Sequence, residues 1–189
     1  MLQSYSFKTK ESKALQNLNK LLATERNKYE NLAKKDPLTH CFNREGLDAI
    51  MQNEISLFVE RNQPCSIILL DIDHFKNVND QFGHNEGDRV LVNIANLIHE
   101  NIKPKDTLVR WGDEEFLVVC SNTSLENAIR VAESLRKLIE NTKLSKKTRI
   151  SSSFGVTQIN SKKFETNFKQ ADKALYQAKS LGRNNVQSS

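Results

Sequence analysis

Cys65-Ser66-Ile67-Ile68-Leu69-Leu70-Asp71-Ile72-Asp73 is the stretch that decides the fold. The apolar run from Cys65 to Leu70 follows Pro64 and has the length of a buried strand. It stops at two acids. Strand side chains alternate, so Asp71 and Asp73 project to the same face. Two carboxylates side by side repel unless a cation lies between them, and a hard, oxygen-seeking ion such as Mg²⁺ answers that need. Taken alone, the pair also fits a solvated loop or a helix cap, where Asp is common.

The chain on either side has the rhythm of a compact α+β domain. Asn43 caps a predicted helix running to about Glu60. Val90, Leu91, Ile94, Leu97 and Ile98 share one helix face. Thr107 to Trp111 and Glu115 to Cys120 read as strands around a two-residue Gly112-Asp113 turn. Thr123 with Glu126 has the form of a capping box, ahead of a helix stripe through Leu125, Ala128, Ile129, Ala132, Leu135 and Ile139. A strand is expected over Arg149 to Ile159 and a last helix over Phe168 to Ser180. The sharp hairpin implies a mostly antiparallel sheet covered by helices.

Upstream, Leu15, Leu18, Leu22, Glu25, Tyr29 and Leu32 fall at alternating spacings of three and four, within a helix expected from about Ser12 to Lys34. That is the a/d pattern of a coiled coil; an amphipathic helix packed on its own domain has the same pattern. Asp36-Pro37 ends it, because the residue before proline leaves the α region. The expected organisation is an N-terminal helix over 1–34 and a globular domain over 35–189.

Length and composition narrow the function classes. The 189 residues, 38% hydrophobic and 27% charged, suit one soluble domain with an appendage. No apolar run approaches the roughly 20 residues a membrane helix needs, and the N-terminus lacks a signal-peptide core. The dispersed cysteines Cys41, Cys65 and Cys120 argue against a disulfide framework or zinc motif and fit a reducing cytoplasm. The net charge of +5 suits an anionic ligand, but no dense basic block of the kind that tracks a nucleic-acid backbone stands out. Neither nucleic acid nor membrane is an expected partner.

The segment from His74 to Asp88 is dense in polar groups around Gly83 and Gly87. Lys76 offers a point charge to a phosphate, and a helix start after Asp73 offers backbone N–H groups. Asn79 and Asp88 together match a base edge: the amide donates and accepts, and the carboxylate accepts from a guanine's N–H groups. Each residue alone is equally at home in a cap or turn. Glu114 lies between the hairpin's strands, so it is held rigidly, and brought beside Asp71 it would complete a divalent-metal site.

Several ordered motifs together resemble the GGDEF-domain diguanylate cyclases: Asp36-Pro37-Leu38-Thr39, Leu70 to Asp80, Gly83 to Asp88, Arg110 to Phe116, and Ala171 to Asn184. The resemblance runs from about Lys35 to Val186. It implies a palm-like fold of the nucleotidyl-cyclase type with a five-stranded central sheet, and the condensation of two GTP to cyclic di-GMP and two pyrophosphates. By the same resemblance, Asp71, the Ile72 main-chain carbonyl and Glu114 hold Mg²⁺ or Mn²⁺. Asn79, His84 and Asp88 contact guanine. Lys76, Lys179, Arg183 and the Phe75 backbone N–H hold phosphates. Glu114 and Lys76 are the candidate catalytic groups. One chain carries one such set and the product needs two symmetric bonds, so a two-fold homodimer is expected. The N-terminal helix would bring the second domain close or carry a signal from an upstream sensor domain or partner.

Two positions depart from the family pattern. Asp113 stands where the motif has its second glycine. Asp visits positive φ more readily than most residues, so the hairpin is expected to survive, while the extra charge bears on triphosphate binding. The alternative reading is therefore a catalytically silent module that binds GTP or cyclic di-GMP. At Lys103-Pro104-Lys105-Asp106, lysine replaces the arginine of a product-binding inhibitory motif. Lysine lacks the bidentate, stacking guanidinium, so weak or absent product inhibition is expected.

Overall fold

The computed structural model describes residues 16–22, 24–26, 28–29 and 32–189. Ser12 and Leu15, the first positions of the expected N-terminal helix, lie outside them. The described residues from 16 to 33 are helical, and Leu18, Leu22, Tyr29 and Leu32 are exposed there. Lys35 then forms an isolated bridge to Phe42, which itself bridges to Val109.

The domain runs α1 (Arg44–Arg61), β1 (Ser66–Ile72), α2 (Phe75–Phe82), α3 (His84–Asn101), β2 (Thr107–Arg110), β3 (Glu115–Cys120), α4 (Leu125–Asn141), β4 (Ser152–Gln158), α5 (Phe164–Ser180) and β5 (Val186–Ser188). The strands form one five-stranded sheet in the order β2-β3-β1-β4-β5. All pairs are antiparallel except β4 with β5, which run parallel across α5. The expected palm-like, mostly antiparallel α+β architecture is the one observed.

β1 is the central strand, and every residue of it is buried. Its alternation feeds two cores. Ile68, Leu70 and Ile72 pack with Val90, Ile94 and Ile98 of α3 and with Ala128, Leu135 and Ile139 of α4. Ile67 and Leu69 pack with Leu47 and Met51 of α1 and Leu175 of α5. Burying each such aliphatic chain contributes about 1.5–3 kcal/mol relative to leaving it exposed. Gly155 of β4 lets α5 approach the sheet. A Cβ there would stand 2.1 Å from the Ala171 carbonyl oxygen and 2.4 Å from the Leu175 nitrogen.

Local chemistry departs from the sequence reading in four places. Asn43 does cap α1, accepting from Gly46 N–H at 2.9 Å. The Thr123–Glu126 capping box does not form. Ser124 is the N-cap residue, and the Thr123 hydroxyl donates instead to the Ser121 carbonyl at 2.9 Å. A Gln158 side chain from the neighbouring strand takes the Leu125 N–H at 2.8 Å, a tertiary partner that displaces the local one. The hairpin does not close on a two-residue turn either. Residues 111–114 connect β2 to β3, and the Glu115 carbonyl accepts from both Trp111 and Gly112 N–H groups. Last, the strand expected from Arg149 begins only at Ser152, and the helix expected from Phe168 begins at Phe164.

Candidate active site at the end of the central strand

Asp71 sits on the β1 face that Ile67 and Leu69 share, pointing toward α5. Its register partners are Glu115 on β3 and Ser153 on β4. Like charges opposite one another on adjacent strands are destabilising, so the Asp71–Glu115 pair needs a cation. Lys179, in the last turn of α5, supplies one: its Nζ lies 2.7 Å from Asp71 Oδ2. Burial pushes the Asp71 carboxyl up and Asp73 adds to that, while Lys179 and Arg183 oppose it; the net direction is upward.

Glu114 reaches the same place through the hairpin. The Ile72 N–H donates to the Glu114 carbonyl at 3.2 Å, which fixes the connection against the end of β1. Burial raises the Glu114 carboxyl first, then the charges of Asp71 and Asp113. Glu115 is raised by burial and by Asp71. Three carboxylates thus share this end of the sheet, each held above its ordinary range. Burial is the first cause in each case and the neighbouring carboxylates add to it, so a cation bound here would be favoured. The donors are all hard oxygens, which fits Mg²⁺ or Mn²⁺ bound by Asp71 and Glu114. Among the described residues, no group of three or more His, Cys, Asp or Glu side chains has the arrangement of a metal cage. A hard ion here would complete its shell with backbone carbonyl and substrate oxygens.

Asp73, whose contact with metal the sequence left open, is already engaged. Its oxygens accept from Ser153 Oγ (2.6 Å), Ser151 Oγ (2.7 Å) and Asn184 N–H (3.1 Å). It ties the loop after α5 to the end of β1, which positions Arg183 beside the site. Arg183 itself adopts a left-handed backbone and donates its N–H to the Ala178 carbonyl at 3.1 Å.

α2 starts just beyond Asp73. His74, in a left-handed conformation, is its N-cap residue. No side chain caps the helix and its first turn holds no acid. Such a start, with Phe75 and Lys76 in its first turn, attracts anions. Phe75 is buried and Lys76 exposed. Asn79 is brought to α3 by close packing: a Cβ on Gly87 would fall 1.9 Å from Asn79 Oδ1 and 3.1 Å from the Phe75 ring. The bare Gly87 therefore leaves room for the Asn79 amide against α3, one residue before Asp88, with exposed His84 at the start of the same helix.

Lys103 and Asp106 are not part of this cluster. Asp106 precedes β2 and accepts from Ser121 N–H (3.1 Å) and Lys103 N–H (3.3 Å). Thr107 pairs with Val119 while Asp71 pairs with Glu115, so the two sites lie toward opposite ends of β3.

The sequence reading gave no role to Arg110 and gave Asp36 only the end of the N-terminal helix, although both lie in the motifs it quoted. Arg110 Nη1 lies 3.1 and 3.2 Å from the Asp36 oxygens, and its Nη2 donates to the Asp113 carbonyl at 3.0 Å. Asp36 also accepts from the Thr39 N–H (2.7 Å) and hydroxyl (2.6 Å). The exit of the N-terminal helix is thereby latched to the turn that carries Glu114. Asp113 is exposed and is not among the left-handed residues. The hairpin tolerates it because this position needs no positive φ, not because Asp adopts one.

Comparison with known proteins bears on the family and the fold. The family model described as "Diguanylate cyclase, GGDEF domain" matches residues 33–185. The probable diguanylate cyclase DgcT of Escherichia coli K12 is 38% identical over 166 residues, covering 83% of this chain and 36% of that protein. The chain thus spans about a third of the length of the curated relatives it matches. Among solved structures, SiaD of Pseudomonas aeruginosa, a diguanylate cyclase in complex with its activator SiaC, superposes with a TM-score of 0.78. It is 31% identical, over 99% of this chain and 77% of that one. The coiled coil and GGDEF domain of DgcB from Caulobacter crescentus, in complex with c-di-GMP, gives 0.85 at 24% identity, over 97% of this chain and all of that one, a likeness of fold.

Proposed function

The chain belongs to the GGDEF diguanylate cyclase family, and we propose on that premise that it condenses two GTP into cyclic di-GMP with release of two pyrophosphates. The observation that supports this reading best is the meeting of Asp71, Glu114 and Lys179 at the end of β1, beside an uncapped helix start.

In the proposed reaction the 3′-hydroxyl oxygen of one GTP forms a bond to the α-phosphorus of the other, and the bond from that phosphorus to the bridging oxygen breaks. The hydroxyl proton passes to a carboxylate, and pyrophosphate leaves with the bond's electrons. Glu114 is the candidate base, because its raised carboxyl is better matched to accept a proton near neutral pH than an ordinary glutamate. A divalent cation held by Asp71, the Ile72 carbonyl and Glu114 would polarise the phosphate and lower the pKa of the attacking hydroxyl. Lys179, Arg183 and Lys76 stabilise charge on the triphosphate and the departing pyrophosphate. Asn79, Asp88 and His84 orient the guanine, and the Phe75 N–H faces the phosphates.

Two chains are needed for two bonds. We assign the pairing to a homodimer through the N-terminal helix, residues 1–34, whose described leucines and Tyr29 are exposed. The catalytic domain is assigned to 35–189. The Asp36–Arg110 latch is the route by which an upstream sensor or partner bound near the helix would reach the Glu114 turn. Weak or absent product inhibition goes with Lys103 and with an Asp106 turned toward backbone N–H groups; an initial rate that collapses at low micromolar cyclic di-GMP would overturn it. No described helix is long and apolar enough to cross a membrane, and the proposed setting is the cytoplasm, where the free thiols of Cys41, Cys65 and Cys120 stay reduced.

One observation favours the silent-module alternative: Asp113 adds negative charge next to Glu114. Incubating the purified chain with GTP and Mg²⁺ and resolving the nucleotides by anion exchange separates the two. Cyclic di-GMP supports the cyclase. No product from the native chain, with turnover restored by Asp113→Gly, supports the silent module.

A further inference from the structure

The loop between α4 and β4 gathers charge. Lys143, Lys146, Lys147 and Arg149 fall within seven positions with no acid among them, on a chain whose net charge is +5. In the fold these four line a cavity of about 600 Å³ together with Ser145 and Glu140. Among the described residues, none of the four side chains forms an ion pair, although the Lys146 backbone N–H is taken by the Glu86 carboxylate. Glu140, the one acid in the lining, is committed elsewhere. Its oxygens take Arg136 Nη1 and Asn184 Nδ2, each at 2.9 Å.

A basic loop is ordinarily a solvated one, its side chains free to spread apart. Here the backbone is fixed. Leu144 and Ile150, at either end, are buried in the core. The Leu144 carbonyl accepts from Asn93 Nδ2 at 2.7 Å. Ser145 Oγ accepts from Lys147 and Thr148 N–H groups and donates to the buried Glu86 at 2.7 Å. The fold therefore anchors the backbone so that four exposed cationic side chains ring one cavity, an arrangement that favours a bound polyanion.

We propose that this cavity is a binding site for a small polyphosphate-bearing ligand, separate from the GTP site. Its volume is in the range of nucleotide-sized pockets. Its lining holds no aromatic ring to stack a base, so recognition rests on the phosphates. Two chains of hydrogen bonds connect it to the candidate active site. Ser145 bonds Glu86 in the first turn of α3, the helix of His84 and Asp88. Glu140 bonds Asn184, whose N–H is held by Asp73. The site stands independently of the reaction proposed above.

The test is a calorimetric titration of the full chain at low ionic strength without divalent metal. Sodium tripolyphosphate and ATP serve as probes, a free polyphosphate and a nucleotide. The background carries Lys76→Ala, Lys179→Ala and Arg183→Ala, which removes the side-chain phosphate contacts proposed for the GTP site. Tripolyphosphate still binds this background, and adding Lys146→Ala with Lys147→Ala weakens it by about tenfold. Parallel binding of ATP extends the site to nucleotides; tripolyphosphate binding without ATP restricts it to free polyphosphates, and both outcomes support it. No binding to the background, an affinity unchanged by the added pair, or binding of ATP alone overturns it.

Discussion

Replacing Gly155 with alanine tests how the active site is positioned. The new Cβ would stand 2.1 Å from the Ala171 carbonyl oxygen and 2.4 Å from the Leu175 nitrogen. Both are backbone atoms, so no side chain can rotate aside. Ordinary contact begins near 3.4 Å, which requires α5 and β4 to separate by about 1.3 Å, the difference between those distances. Overpacking of this kind costs about 2 kcal/mol, which for a chain of this length lowers the melting temperature by about 4–8 °C. The same displacement moves Lys179 off Asp71 and carries Arg183 with it. A misplacement of about 1 Å costs on the order of a hundredfold in rate. Thermal unfolding and pyrophosphate release, assayed well below the melting point, give the two readings. A Gly155→Ala chain with native stability and native turnover would refute the claim that close packing of β4 on α5 sets the site.

Three further outcomes follow from single contacts. Gly87→Ala forces the Asn79 amide off α3; the loss of one hydrogen-bonding group from the proposed guanine site raises the KM for GTP about tenfold with little change in stability, and an unchanged KM would remove Asn79 from guanine recognition. Asp113→Gly removes a charge that raises the Glu114 carboxyl, so the acid limb of the kcat/KM profile moves to lower pH; a limb that stays put or moves up would take Glu114 out of the base role. Asp36 is pushed up by burial, but its bonds from Thr39 and Arg110 outweigh that and hold it below 3.8. Its contribution to stability is thus full above the unfolded value and lost as pH falls through the lower folded value. Native protein is expected to exceed Asp36→Asn in urea stability near neutral pH, with the gap closing below about pH 3.8; a gap independent of pH would contradict the latch.

How much of this was legible in the sequence follows from the range of each interaction. β1 and its terminal Asp71 were readable because an apolar run and its alternation are local facts. The Asn43 cap was readable for the same reason. Thr123–Glu126 misled because a spacing cannot reveal that Gln158, brought in by the sheet, takes the Leu125 N–H. β5 has only Val186 as an apolar residue in its three positions, so no periodicity marks it. It exists because α5 returns the chain parallel to β4. The Asp36–Arg110 pair spans 74 positions, and the roles of Asp73 and Gly87 depend on Asn184 and Asn79 arriving from other elements. The family resemblance supplied the site's membership; the fold supplied the contacts that hold it in place.

The central claim is that Asp71 and Glu114 anchor a cyclising GTP site. The most direct measurement is the stoichiometry of products from GTP and Mg²⁺, with the Asp71→Asn chain in parallel. The native chain is expected to release two pyrophosphates for each cyclic di-GMP, and Asp71→Asn, folded by thermal melt, to release neither. Cyclic di-GMP formed equally by both chains, or GTP hydrolysed to GDP and phosphate by the native one, would contradict the account.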